Sequence, residues 1–185
     1  MNARFLCALA LSAAIVGFAP QAAFADGRPD GRPFHGSFAV TFGTTLNTGA
    51  ESFCGGPVLA RVIEAHGNGS STVGNMTFNL IKGSGGGVVH GCLTLTAANG
   101  DVLEATYIIG GGTAPNVRGF APAFGTLTFT GGTGRFKNAT GSASFTSMNI
   151  VFYVASSFAG GGPATAPVQG MAYYEIEGTI HRERD

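Results

Sequence analysis

Charged residues are scarce in this sequence, and neither sign is in excess. Only 11% of the 185 residues are Asp, Glu, Lys or Arg, and ten basic residues balance ten acidic ones. Nucleic acid and anionic membrane surfaces bind through a basic patch, which this composition does not supply. The four histidines are scattered and no CxxC motif occurs, so neither a metal site nor a cofactor is predicted.

Motifs for catalysis are also missing. No Gly-x-Ser-x-Gly elbow occurs, and the few histidines offer no Ser-His-Asp arrangement. Glu175 and Glu177 share one face of a predicted strand, but this near the end of the chain we interpret them as solvated charges and not as a catalytic pair. The sequence therefore predicts no hydrolase of these types.

The first 25 residues have the pattern of a secretory signal peptide. Arg4 provides a short positive region, residues 5–18 form an apolar run, and Ala23-Phe24-Ala25 forms a cleavage site. The apolar run is short for a bilayer span, and an uncleaved anchor is the alternative. We expect cleavage after Ala25, a secreted or periplasmic protein, and no membrane span after cleavage.

Cleavage would leave 160 of the 185 residues, enough for one domain with its own core. Residues 26–33 repeat the unit Asp-Gly-Arg-Pro and are predicted to be a flexible leader. We assign residues 34–181 to the domain and residues 182–185 to a charged tail.

Alternation of apolar and polar side chains predicts strands throughout this domain, and no stretch has helical periodicity. Asn99 and Gly100 predict a hairpin with a type I′ turn, which needs positive φ at both positions. Residues 43–57 and 110–122 are rich in glycine and predict loops. The predicted strands are residues 34–42, 58–66, 71–82, 88–98, 102–109, 125–130, 141–146, 148–158 and 168–180.

Eight or nine antiparallel strands in one open sheet would leave exposed edges, and closing the sheet removes them. We therefore predict an all-β fold, a single eight-stranded antiparallel barrel, with a two-sheet β-sandwich as the alternative. Such a barrel either fills its interior with side chains or holds one small ligand.

Two cysteines, Cys54 and Cys92, remain after cleavage. An even count in an exported chain favours a disulfide between them, with a pair of buried thiols as the alternative.

Three glycines, Gly131, Gly132 and Gly134, follow the strand that ends at Thr130. Glycine tolerates the positive φ of a sharp reversal, so we predict a structural turn. A nucleotide-binding loop is disfavoured because no helix follows and no P-loop lysine-serine pair is present. Phe136 and Ala139 are expected to pack the turn onto the core.

The segment Phe129-Thr-Gly-Gly-Thr-Gly-Arg-Phe136 with Ala139-Thr-Gly141 resembles the glycine-rich turn of plant allene oxide cyclases and dirigent proteins. Leu103-Glu-Ala-Thr-Tyr107 and Val73-Gly-Asn-Met-Thr-Phe78 resemble cyclase segments that precede this turn. The resemblance implies a calycin-like eight-stranded barrel around an apolar cavity, assembled into dimers or trimers. It would make the chain a secreted bacterial member of this family.

Candidate site residues follow from the same resemblance. Cys92 falls close to a pocket cysteine of the cyclase, whereas Glu104 and Tyr107 lie in the best-matched segment and point to opposite faces of one strand. These three are candidates for catalysis; Asn75, Tyr107 and Phe129 are candidates for ligand binding. The first-strand glutamate and asparagine of the cyclase have no counterpart here.

Together these observations predict an exported barrel that binds a small hydrophobic molecule in its lumen or serves as a structural module. The alternative is a cofactor-independent isomerase or cyclase, or a dirigent-like stereochemical guide. The first is favoured because the acidic residues of the family are missing. The apolar residues proposed for an apolar lumen are Leu93, Leu95, Ile108, Leu127, Phe129 and Phe145.

Overall fold

The computed structural model describes residues 31–152 and 168–182, and the chain is all-β over these ranges. The predicted signal peptide and most of the leader lie outside the described residues. Within them, no helix is long and apolar enough to cross a bilayer. The elements are β1 (Gly31–Leu46), β2 (Arg61–Ser71), β3 (Gly74–Gly85), β4 (Val88–Ala97), β5 (Val102–Gly112), β6 (Phe120–Gly132), a 3-10 turn (Gly134–Phe136), β7 (Thr140–Val151) and β8 (Val168–His181).

The strands form one closed antiparallel barrel. Each strand pairs with the next along the chain, and β8 pairs with β1 from Gly31↔His181 to Thr44↔Val168. The predicted eight-stranded antiparallel barrel is confirmed, and the sandwich alternative is wrong. Closure gives every strand two neighbours, which explains how so glycine-rich a sequence sustains long strands.

Several predicted strand ends are wrong, because pairing with two neighbours extends the strands. β1 continues through Gly43 to Leu46, and β5 and β6 extend into residues 110–122, which were predicted to be a loop. β7 joins residues 141–146 and 148–151 in one strand, so no ninth strand begins at residue 148. Residues 153–158 lie outside the described part of the chain. Ladder hydrogen bonds from two neighbours outweigh the low strand propensity of glycine.

The hairpin between β4 and β5 is present, but its turn type differs from the prediction. Gly100 has a φ of 87°, whereas Asn99 does not have a positive φ. The Gly100 N–H donates to the Ala97 carbonyl at 2.9 Å, and the Asn99 side chain donates to the Asp101 carboxylate at 2.8 Å. Four residues separate the strands, a length that suits a type I turn followed by glycine.

Aromatic side chains fill much of the barrel interior. Ring centroids are 5.4 Å apart for Phe38 and Phe78, 5.0 Å for Phe78 and Tyr174, and 4.5 Å for Tyr107 and Phe145. Of the six residues proposed for the lumen, five are buried. The sixth, Ile108, is 43% exposed and was assigned wrongly, because Tyr107 takes the inward position on β5.

The glycine turn closes one end of the barrel, which we call the Phe136 end and define by Phe34, Phe129, Phe136 and Ile180. Phe136 and Ala139 are fully buried. The Thr133 N–H donates to the Val102 carbonyl at 2.8 Å, and the Val102 N–H donates to the Thr133 hydroxyl at 3.0 Å. The turn is therefore fastened to the start of β5.

Gly132 should be intolerant of a side chain. Its φ is 152°, and a Cβ there would lie 1.8 Å from the Val102 carbonyl oxygen. We expect Gly132→Val to destabilise the fold by about 2 kcal/mol or more, which lowers the melting temperature by roughly 4 °C or more. Thermal unfolding followed by circular dichroism measures the change.

The matched control is Gly43→Val, because a Cβ at Gly43 meets nothing within 4 Å. Equal melting temperatures for the Gly132 and Gly43 variants would contradict a structural role for the turn. Unchanged stability together with lost ligand binding would identify the turn as a site.

The predicted disulfide is confirmed: Cys54 and Cys92 are bonded, with their Cα atoms 5.4 Å apart. It ties the loop before β2 to the outer side of β4, where the Phe53 carbonyl also lies 3.0 Å from His90 Nδ1. A disulfide is consistent with an oxidising compartment outside the cytoplasm.

Removing the disulfide should reopen a 38-residue loop in the unfolded chain. We expect the Cys54→Ala/Cys92→Ala double variant to lose about 3 to 4 kcal/mol of unfolding free energy, measured by urea denaturation. Thiol titration of the denatured, unreduced wild type should find no free thiol in cleaved, exported material. Two free thiols would refute the bond.

Candidate ligand site at the Lys82 end of the barrel

Buried polar side chains gather at the end of the barrel opposite to Phe136. In the described ranges, the buried polar or charged residues outside the aromatic core are Thr44, Lys82 and Ser147, which are 7%, 6% and 6% exposed. Ile63 on β2 pairs with Thr44 on β1 and with Lys82 on β3. Ser147 lies near the end of β7, beside Tyr174. We call this region the Lys82 end.

The Lys82 side chain points into the barrel and contacts Tyr107. Its ammonium Nζ donates to the Tyr107 hydroxyl at 3.3 Å and lies 4.7 Å from the centre of the phenol ring. Gly91 lies on β4, the strand between β3 and β5, and pairs with both Lys82 and Tyr107. A Cβ on Gly91 would lie 2.4 Å from the Lys82 Cβ, so the glycine makes room for the contact.

Tyr107 is held rigidly among aromatic rings. It stacks on Phe145 at 4.5 Å and meets Tyr174 edge-on at 6.4 Å. Burial raises the pKa of Tyr107 well above its usual range, and the charge and hydrogen bonding of Tyr174 act in the same direction. The Tyr107 phenol is therefore neutral at physiological pH and brings no negative charge to Lys82.

Lys82 forms no salt bridge with any carboxylate in the part of the chain that the structure describes. The ion pairs recorded there join His35 to Glu177 and Arg135 to Asp101. Nor does any group of three or more His, Cys, Asp or Glu among the described residues suit a metal ion. The site thus combines the Lys82 ammonium with hydroxyl groups and apolar walls.

Short side chains line the lumen on β6–β8 at this end. The Asn149 amide on β7 donates to the Ala121 carbonyl on β6 at 2.6 Å, which holds the two strands together at this end of the barrel. At the Phe136 end the inward side chains are larger. The short inward side chains are Ala121, Ala123, Ser147 and Ala172.

The structure brings only one predicted site residue to the Lys82 end, namely Tyr107. Phe129 also faces inward, but at the Phe136 end, where its ring lies 5.2 Å from Phe34. Glu104 and Asn75 are exposed on the outside of the barrel, and Asn75 lines a shallow surface depression of 410 Å³. Neither side chain reaches the lumen, because strand alternation directs both outward.

The assignment of Cys92 as a catalytic candidate is wrong. Its sulfur is bonded to Cys54, and its side chain lies on the outer face of β4. No thiolate is available there to act as a nucleophile.

Lys82 and Tyr174 were not identified from the sequence. Lys82 stands in phase with the inward residues Met76, Phe78 and Leu80 on β3. A charged residue at an apolar position of a strand was the signal that could have identified it. Tyr174 gave no comparable signal, because an aromatic residue is ordinary at an inward position.

Comparisons with known proteins add little to this geometry. No protein-family model matches the chain, and no curated protein is similar to it. Among solved structures, the chain is similar to the pterocarpan synthase dirigent protein GePTS1, with 14% identity and a TM-score of 0.43. The similarity covers 84% of this chain and 88% of that one.

Tyr107 should make the protein sensitive to alkali. Its pKa is higher in the folded than in the unfolded state, so the folded state keeps the proton longer. This contribution to stability is complete below about pH 10 and is lost as pH rises through the folded-state pKa. We expect urea unfolding to show a free energy that falls above about pH 10, and falls less in Tyr107→Phe.

Tyr173→Phe is the matched control, since Tyr173 is exposed on β8. A decline equally steep in wild type and in Tyr107→Phe would contradict the predicted origin.

Proposed function

We propose that this protein is an exported barrel that binds a small, mostly apolar molecule at the Lys82 end of its lumen. The observation that carries the proposal is the collection of Thr44, Lys82 and Ser147, all buried, at one end of an otherwise aromatic interior. Small-molecule sites typically have this composition, with apolar walls and a few convergent polar groups. Export is supported by the signal-like N-terminal sequence and by the disulfide.

Stability alone gives a poor account of these polar groups. Burying a polar group costs about 1 to 3 kcal/mol unless its hydrogen bonds are made. The Ser147 hydroxyl donates to the Ala123 carbonyl at 3.5 Å and accepts from the Asn149 amide at 3.4 Å, and both contacts are long. Apolar side chains of similar size would pack this end at lower cost.

Binding is favoured over acid–base catalysis. The buried residues of the described lumen include no carboxylate and no histidine, and Tyr107 keeps its proton at neutral pH. General acid–base catalysis works best with a group that exchanges its proton near the operating pH.

A cofactor-independent isomerase or a dirigent-like guide is the second candidate function. It is supported by the pair formed by Lys82 Nζ and the Tyr107 hydroxyl, 3.3 Å apart, because two aligned donors could stabilise a developing oxyanion. Turnover of an epoxide or of a radical-coupling substrate by wild type, lost in Tyr107→Phe with binding intact, would favour this candidate.

A fluorescence titration with the neutral dye Nile red tests the binding function. We expect saturable binding to the wild type, weakened about tenfold or more in Ser147→Phe, because the larger side chain fills the lumen. Ser144→Phe is the matched control: Ser144 lies on the same strand but is exposed on the outer face.

An outer groove could also take up an apolar dye. A groove of about 440 Å³ on β6–β8 borders Phe124, Met148 and Tyr173, and its lining also includes Ser147. The lumen site therefore also requires that Met148→Ser still binds the dye. Dye binding that is lost in Met148→Ser but unchanged in Ser147→Phe would place the dye there and refute the lumen site. Absence of saturable binding would refute the binding function itself.

A further inference from the structure

The ammonium of Lys82 is the least compensated charge in the described core. Lys82 is buried, and its recorded polar contact is the neutral hydroxyl of Tyr107. Ile63 on β2 and Gly91 on β4 flank it on the neighbouring strands, and neither side chain carries charge. The residues paired directly with Lys82 are thus neutral, and Arg61, two residues from Ile63 on the same face of β2, adds a second positive charge near this end.

A buried ammonium of this kind calls for a counter-ion. Transfer of an isolated charge from water into a protein interior costs several kcal/mol, and a pair with hydrogen bonds recovers much of that cost. The Tyr107 ring contributes a cation–π contact at 4.7 Å, but such contacts supply only about 0.5 to 2 kcal/mol. Among the described residues, no carboxylate supplies the rest.

We propose that the ligand of this site is an amphipathic anion whose carboxylate, or similar head group, pairs with Lys82 while its apolar body occupies the lumen beside β6–β8. The proposal rests on the proposed binding function and names its ligand class. The Lys82 ammonium and the Tyr107 hydroxyl together offer donors to one head group. The short side chains Ala123 and Ala172 line the part of the lumen where the apolar body would lie.

Matched probes of the same chain length separate charge from apolar bulk. Decanoate and decan-1-ol would be titrated at pH 7 against the wild type with bound Nile red. We expect decanoate to displace the dye at a concentration about tenfold lower or more, because only its head group is charged. Equal potency of the two probes would overturn the proposal and leave the binding function standing.

Variants of the two lysines then test whether Lys82 causes the preference for decanoate over decan-1-ol. The sequence has two lysines, Lys82 and Lys137. Lys137 is exposed in the turn at the Phe136 end. Lys82→Met should abolish the preference for decanoate with decan-1-ol affinity retained, whereas Lys137→Met should keep it. A preference that survives in folded Lys82→Met would overturn the proposal.

A measurement on the wild type covers the case in which Lys82→Met does not fold. Decanoate labelled with ¹³C in its carboxyl group reports its own ionisation by NMR when bound. A carboxylate paired with an ammonium titrates at lower pH than the free ligand, whereas a carboxylate buried without a partner titrates at higher pH. A shift to higher pH would overturn the proposal, and binding of neither probe would overturn it together with the binding function.

Discussion

The pairing of the first strand with the last is the constraint on which the rest of the structure depends. β1 and β8 form a continuous ladder from Gly31↔His181 to Thr44↔Val168, and this ladder turns an open meander into a barrel. Closure gives each strand one inward and one outward face. Every second residue is thereby committed to a single interior, which explains why one lumen contains both the aromatic core and the polar end.

The two ends of that lumen differ because their inward residues differ in size and polarity. At the Phe136 end, Phe34, Phe129 and Phe136 fill the interior. A backbone hydrogen bond joins the glycine turn to the start of β5. At the Lys82 end, small residues and three buried polar groups replace them. Under the proposed function, the packed Phe136 end stabilises the barrel and the Lys82 end binds the ligand, in agreement with the general separation of packed scaffold and binding site.

Much of the fold could be predicted from the sequence, since strand alternation and edge avoidance depend on local pattern. Residues 93, 95, 127, 129 and 145 are buried as one set, but Ile108 was placed with them because the sequence does not say which face of a strand is inside. Gly43 and residues 110–112 looked like loops because glycine has low strand propensity, a local signal that pairing on both sides overrides. The Lys82–Tyr107 contact joins residues on strands separated by β4, and no local pattern reports it.

The disulfide and the site are neighbours on opposite faces of the same sheet. Cys92 follows Gly91 on β4, so the bond lies on the outer face directly after the glycine that separates Lys82 from Tyr107. A buried ammonium beside a glycine weakens the local packing, since the charge loses solvation and the glycine contributes no side chain. A covalent tie at the next residue holds the loop before β2 against the outer face of β4 at this point. The Cys92 side chain, which the resemblance placed near a pocket cysteine, lies on the outer face of β4 and does not enter the lumen.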